Sequence, residues 1–217
     1  NRLHHGNYEN LKSRFGNLAT SHGYFDGDFS LSRIEIHKAN RLADIDLHYA
    51  TGERYRIGDI HLTHDILDTD FLKRYYNIEE GDYYDADKLF ELKSMYSSSN
   101  YFSVVNVAPA LQSIDNKRVP IHIDLTARKR RAYSAGVGVE SDEPRIKLGF
   151  EDRYINRRGH SFKADLSSSE IKQEATANYK VPLRSPAFEY MNVFAGYRNE
   201  ETKTFTSTKT TYGVNYT

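Results

Sequence analysis

The chain of 217 residues contains no cysteine. That excludes disulfides, thiolate catalysis and cysteine-type zinc sites, and it suits an oxidising compartment where a stray thiol is a liability. Net charge is also missing, because 30 basic and 30 acidic residues cancel; no global field draws the protein to nucleic acid or to an anionic membrane surface. No apolar run approaches ~18 residues, so entry into a membrane has to be by β-strands and not helices. No signal peptide opens the sequence, and Asn1-Arg2-Leu3 reads as a start inside a longer protein. Neither G-x-S-x-G nor H-E-x-x-H occurs. What is present is 38% hydrophobic residues, a composition that folds, at a length that suits one large or two to three small domains.

Tyr8, Leu11, Phe15, Leu18 and Ala19 recur at helical spacing and predict an amphipathic helix that stops near Gly23. After the turn-rich GYFDGDF come two alternating runs, Ile34 and Ile36, then Ile45, Leu47 and Tyr49, read as a hairpin with one buried face. A strand over 54–62 follows, then a helix over 69–76 and a better signalled one in which Asp85 is the N-cap and Tyr84 staples to Leu89. In that second helix Leu89, Leu92 and Tyr96 share a face. Strands over 101–107 and 119–126 close the group, with Ile121, Ile123 and Leu125 inward. Gly23-Tyr24-Phe25 aligns with Asn100-Tyr101-Phe102 and Ile45-Asp46-Leu47 with Ile123-Asp124-Leu125, which makes the first half a tandem of one strand-helix-helix-strand-strand module. Residues 1–53 are the first copy without its first strand, and 54–130 the second.

Beyond the basic run Arg128 to Arg131 no helical period returns. Tyr133, Ala135, Val137 and Val139 alternate with Ser134, Gly136, Gly138 and Glu140, and Ile146, Leu148 and Phe150 with Arg145, Lys147, Gly149 and Glu151: a hairpin turning at Ser141 to Pro144. Four more alternating runs centre on Ala164, Ala177, Val193 and Val214. Six antiparallel strands over 131–217 suit a soluble sandwich or the first part of a transmembrane β-barrel. Charges and glycines on one face and tyrosines near the strand ends of the other favour the barrel.

Simpler readings accompany the remaining features. His61 and His64 lack a third ligand and read as surface histidines; Gly136-Val137-Gly138 lies inside a strand and is no dinucleotide loop; Ser97 to Ser99 and Ser167 to Ser169 read as turns; Arg128 to Arg131 reads as a solvated junction. Nothing points to a cofactor, a metal or a catalytic residue.

Taken as an ordered set, Gly136-Val137-Gly138 through Glu143-Pro144-Arg145, then Asn156-Arg157-Arg158-Gly159-His160 and Tyr179-Lys180-Val181-Pro182-Leu183, following the tandem modules, resembles the POTRA-plus-β-barrel outer-membrane insertase superfamily, and within it the TamA-like proteins. Ser141-Asp142-Glu143 departs from the Thr-Asp-x-Gly usual there. The resemblance implies α+β POTRA repeats (β-α-α-β-β) followed by part of an outer-membrane barrel, with the POTRA modules in the periplasm. It implies a non-enzyme that inserts or translocates outer-membrane proteins such as autotransporters, an inner-membrane-anchored TamB-like partner and a lipid bilayer, with no nucleic acid. The first barrel strand, Tyr133, Ser134, Ala135, Gly136, Val137, Gly138 and Val139, would be the seam offered to a client strand, and Asn156, Gly159 and His160 a structural turn. For the small residues of that strand, relief of crowding in a tapered barrel is the competing reading. A two-partner secretion pore and a soluble all-β binding protein with adaptor modules remain the alternative functions.

Overall fold

The computed structural model describes residues 5–37, 39, 42–140, 143–202 and 205–217. The helix α1 (His5–Ser21) is followed by β1 (Asp28–His37) and β2 (Leu42–Ala50); then come β3 (Arg56–Thr63), α2 (Thr69–Lys73), α3 (Ala86–Ser98), β4 (Phe102–Pro109) and β5 (Arg118–Ala127). Six strands complete the chain: β6 (Arg131–Glu140), β7 (Glu143–Asp152), β8 (Ser161–Ser169), β9 (Lys172–Pro182), β10 (Tyr190–Glu201) and β11 (Thr206–Tyr216). Strands β1 and β2 pair with each other, β3, β5 and β4 form a sheet in that order, and β6 to β11 form a meander in sequence order. These elements fall into two compact units, one gathering the chain up to Leu62 with Asn77–Glu91 and Val107–Ile123, the other Thr63–Tyr76, Leu92–Asn106 and Asp124–Thr217.

In the first unit α1 ends as its sequence predicts. Gly23 adopts a left-handed φ of 87°, its N–H bonds the carbonyl of Thr20 and that of Tyr24 bonds Ala19, so the terminal carbonyls are satisfied in a Schellman arrangement. Asn100, the aligned residue after α3, also has a positive φ, 66°. Phe25 packs edge-on against Tyr55 and Tyr84, with ring centroids 5.2 and 5.0 Å away. Ile57, Ile78, Leu89, Val119, Ile121 and Ile123 are buried. The β1–β2 hairpin forms with Ile34 opposite Ile45, but its apolar face is only partly buried: Ile34 and Leu47 are half-buried, whereas Ile36 and Ile45 stay exposed. Two strands under one helix present too little surface to cover it.

In the second unit, Phe71, Tyr75, Tyr96, Phe102 and Tyr101 form a continuous aromatic cluster, and the Tyr96 hydroxyl donates to the Leu72 carbonyl at 2.8 Å. The helix expected over 69–76 stops at Lys73, because Arg74, Tyr75 and Tyr76 bond back to carbonyls three residues earlier and tighten the chain out of the α form. Ser97 and Ser98 lie in the last turn of α3 and bond the carbonyls of Lys93 and Met95, leaving only Ser99 in the expected turn, and Ser167 to Ser169 end strand β8 instead of forming a turn. Side-chain bonding to preceding carbonyls lets serine finish a helix as readily as a loop. Ser141 and Asp142, placed in the turn of the β6–β7 hairpin, lie outside the described residues.

Asp85 accepts the Asp87 N–H at 3.0 Å, the N-cap bond that its sequence position predicts. Asp85→Ala is expected to lower stability by about 1 kcal/mol, and Leu92→Ala, at a fully buried position, by about 2–5 kcal/mol. Reduced amide protection along α3 measures both, and unchanged protection in Leu92→Ala contradicts the core assignment.

Candidate functional site

Strand alternation sorts the six-stranded meander into two unlike faces. In one register row Tyr133, Phe150, Ala164, Ala177, Ala195 and Tyr212 lie side by side, and in a row of the opposite face Gly136, Lys147, Ser167, Glu174, Arg198 and Lys209. The polar face is cross-linked by charge. Glu174 on β9 pairs with Arg145 on β7 at 2.8 Å and Arg198 on β10 at 2.6 Å, with Lys172 3.4 Å away. The apolar face lies open: Val137 is 87% exposed, and Val139 and Tyr133 are each 74% exposed.

Strand β6 stands at one end of the meander and bonds only β7 among the described strands, so no described strand pairs with its outer backbone edge. All seven residues expected to form the seam, Tyr133 to Val139, lie on this edge strand. At Gly136 and Gly138 an added Cβ would meet nothing within 4 Å, so no described neighbour requires glycine there. Gly149 on β7 differs, since its missing side chain leaves room for Ser134 and Asp165 from the strands on either side.

Asn156, Gly159 and His160 come together in the turn before β8. The Asn156 carboxamide oxygen accepts the N–H groups of Arg158 at 3.0 Å and His160 at 3.2 Å, and the His160 carbonyl accepts the Ile155 N–H at 2.7 Å. Gly159 is buried with φ 76°. A Cβ there would collide with the Phe71 ring and lie 2.9 Å from the Tyr101 hydroxyl; that hydroxyl donates to the Gly159 carbonyl at 2.6 Å. Burial pushes the Tyr101 phenol well above its ordinary value, so it remains a donor. The Asp68 N–H donates to the Arg157 carbonyl at 2.9 Å, the two side chains pair at 3.0 Å, and Arg74 reaches the Leu183 carbonyl at 2.8 Å. The turn is therefore a clasp in which α2 and the start of β4 grip the loops that lead into β8 and β10. Phe71, Asp68 and Arg74 were not singled out from sequence and Tyr101 only as part of the repeated module, whereas Asn156, Gly159 and His160 of the turn were expected together.

The basic run beside the clasp is exposed from Lys129 to Arg131, as expected of a solvated junction, and its arginine side chains are also paired. Arg128 donates to the Asn100 side chain, Arg130 and Arg131 flank Asp152 at 2.8 and 3.6 Å, and Asp152 is only 6% exposed. Burying a carboxylate demands such partners. His61 packs beside His122, ring centroids 5.1 Å apart, and His64 bonds Thr69; among the described residues no group of three His, Cys, Asp or Glu could hold a metal ion. No described helix is long and apolar enough to cross a membrane.

Residues 55–128 match the POTRA family, described as a surface antigen variable number repeat. This segment, about a third of the chain, is the part similar to that family. The chain as a whole has the fold of POTRA-plus-β-barrel proteins. It is similar to BamA from Haemophilus ducreyi lacking POTRA domains 1–3, with TM-score 0.72 and 14% identity over 99% of this chain and 41% of that one. It is also similar to CdiB from Acinetobacter baumannii, with TM-score 0.55 and 12% identity over 89% of this chain and 37% of that one, and to CdiB from Escherichia coli, with TM-score 0.54 and 9% identity over 96% and 39%. The chain thus spans about two fifths of each of these proteins, and its six strands form an open sheet and not a closed barrel.

Gly159→Val is expected to open the clasp, raising amide exchange at Asp68 and Ile155 while leaving β9 and β10 protected; unchanged exchange contradicts the packing assigned to Gly159. Burial, with Arg158 adding to it, holds His160 below its ordinary pKa. The turn therefore favours neutral imidazole, and its contribution is present above pH ~6.5 and lost as pH falls from there towards the depressed folded value. Amide exchange in the turn is expected to rise between pH 7.5 and 5.5, and this pH dependence should disappear in His160→Gln.

Proposed function

We propose that the chain is part of a TamA-like outer-membrane insertase or translocase that works by strand pairing and not by covalent chemistry. In this reading the six strands are the first part of a barrel in the outer membrane. Their apolar face meets lipid, their charged face meets a water-filled lumen, and the POTRA modules stand in the periplasm. Strand lengths support the assignment: 9 to 12 residues each, against ~9–11 for a tilted strand that spans a bilayer. The observation that carries the functional step is the position of β6 at the end of the meander, with no described strand on its outer edge and no side chain at Gly136 and Gly138. An extended client segment, such as the strand of an autotransporter, completes the hydrogen bonding by β-augmentation. An inner-membrane-anchored TamB-like protein is the companion that the resemblance to TamA-like proteins implies.

The test uses the full-length protein with one cysteine at Val137 and one in the terminal barrel strand. Oxidation is expected to block insertion of an outer-membrane client, and reductant to restore it. Full activity in the locked state contradicts the lateral opening and leaves the POTRA modules, or the barrel's effect on the bilayer, as the working part.

A further inference from the structure

Resting on the strand-pairing reading, we propose that the β6 edge selects extended client segments that carry a carboxylate on the polar face in register with Gly136. In the β6–β7 register Gly136 lies opposite Lys147 and Gly138 opposite Arg145, so the two cations of β7 stand behind the two residues of β6 that lack side chains. Neither glycine has a positive φ, and a Cβ at either would meet nothing within 4 Å. Neither backbone conformation nor described packing demands them. Their effect is an open window, a cavity of about 330 Å³ bounded by Gly136, Val137, Gly138, Val139, Arg145 and Lys147.

A strand added to β6 runs about 4.8 Å beyond it. A side chain that such a strand points to the polar face at the level of Gly136 has a clear path across the missing side chain to the Lys147 ammonium. Any β-branched or larger residue at 136 would fill that path. The charge within reach is positive and differs between the two cations: Arg145 is engaged by Glu174 at 2.8 Å, whereas Lys147 is exposed and forms no salt bridge among the described residues. A carboxylate on the incoming strand complements Lys147, an amide is neutral to it, and a second cation there is repelled.

The experiment uses the full-length protein in membranes, with cysteine at Val137, and three client strands that differ only at the residue pairing with Gly136: Asp, Asn or Lys. Disulfide yield at a fixed time is expected to fall in that order, by about two- to fivefold between Asp and Lys. Lys147→Glu should reverse the order, and Gly136→Leu should abolish the preference while cross-links still form. Equal yields for the three clients overturn the selectivity and leave the pairing reading standing. Absence of cross-links to every client overturns both.

Discussion

The period of two along a β-strand is the constraint on which the rest of this structure depends. Successive side chains point to opposite faces, and along the middle of the meander most apolar residues fall on one side and most charged residues, with glycines and hydroxyls, on the other. The register preserves this division from Tyr133 across to Tyr212 and from Gly136 across to Lys209. A one-residue slip in any strand would put lysines and glutamates among the tyrosines and valines. The ionic cluster around Glu174 opposes such a slip, because it ties β7, β9 and β10 at one level. The open apolar face is then a requirement for a cover that is not water, which a bilayer supplies in the proposed reading.

The second organising feature is the clasp at Gly159. Within the second unit, a basic linker alone would leave α2 and the start of β4 untied to the loops between the strands of the meander. Here Phe71 and Tyr101 occupy the space that a side chain at 159 would take, and the buried phenol of Tyr101 closes the contact with a hydrogen bond to the Gly159 carbonyl. The paired Arg130, Arg131 and Asp152 hold the linker itself against the end of β7. The strand whose edge is proposed to receive clients therefore leaves directly from an anchored junction, and the polar face of its middle carries Ser134, Gly136 and Gly138.

Much of this was legible in the sequence for local reasons. Strict alternation announced all six strands of the meander and the hairpin Tyr133 to Phe150. Asp85 and Gly23 announced helix ends, because capping needs only the residue and its immediate neighbours. The clasp was not legible, since Phe71 and Gly159 lie far apart in the chain and neither Phe71 nor Tyr101 differs in pattern from an ordinary core aromatic. The serine runs misled because serine satisfies backbone carbonyls within helices as well as turns. The β1–β2 hairpin misled in burial for another reason: alternation shows which face is apolar, and what covers that face depends on elements elsewhere.

The central claim, that the two faces of the meander meet lipid and water respectively, is tested most directly by site-directed spin labelling of the full-length protein in bilayers along β7, from Arg145 to Glu151. Accessibility to oxygen and to a polar nickel reagent is predicted to alternate out of phase with period two, Ile146, Leu148 and Phe150 favouring oxygen and Lys147 and Gly149 the nickel reagent. Nickel accessibility at both sets would contradict the account, because it would place the apolar face in water.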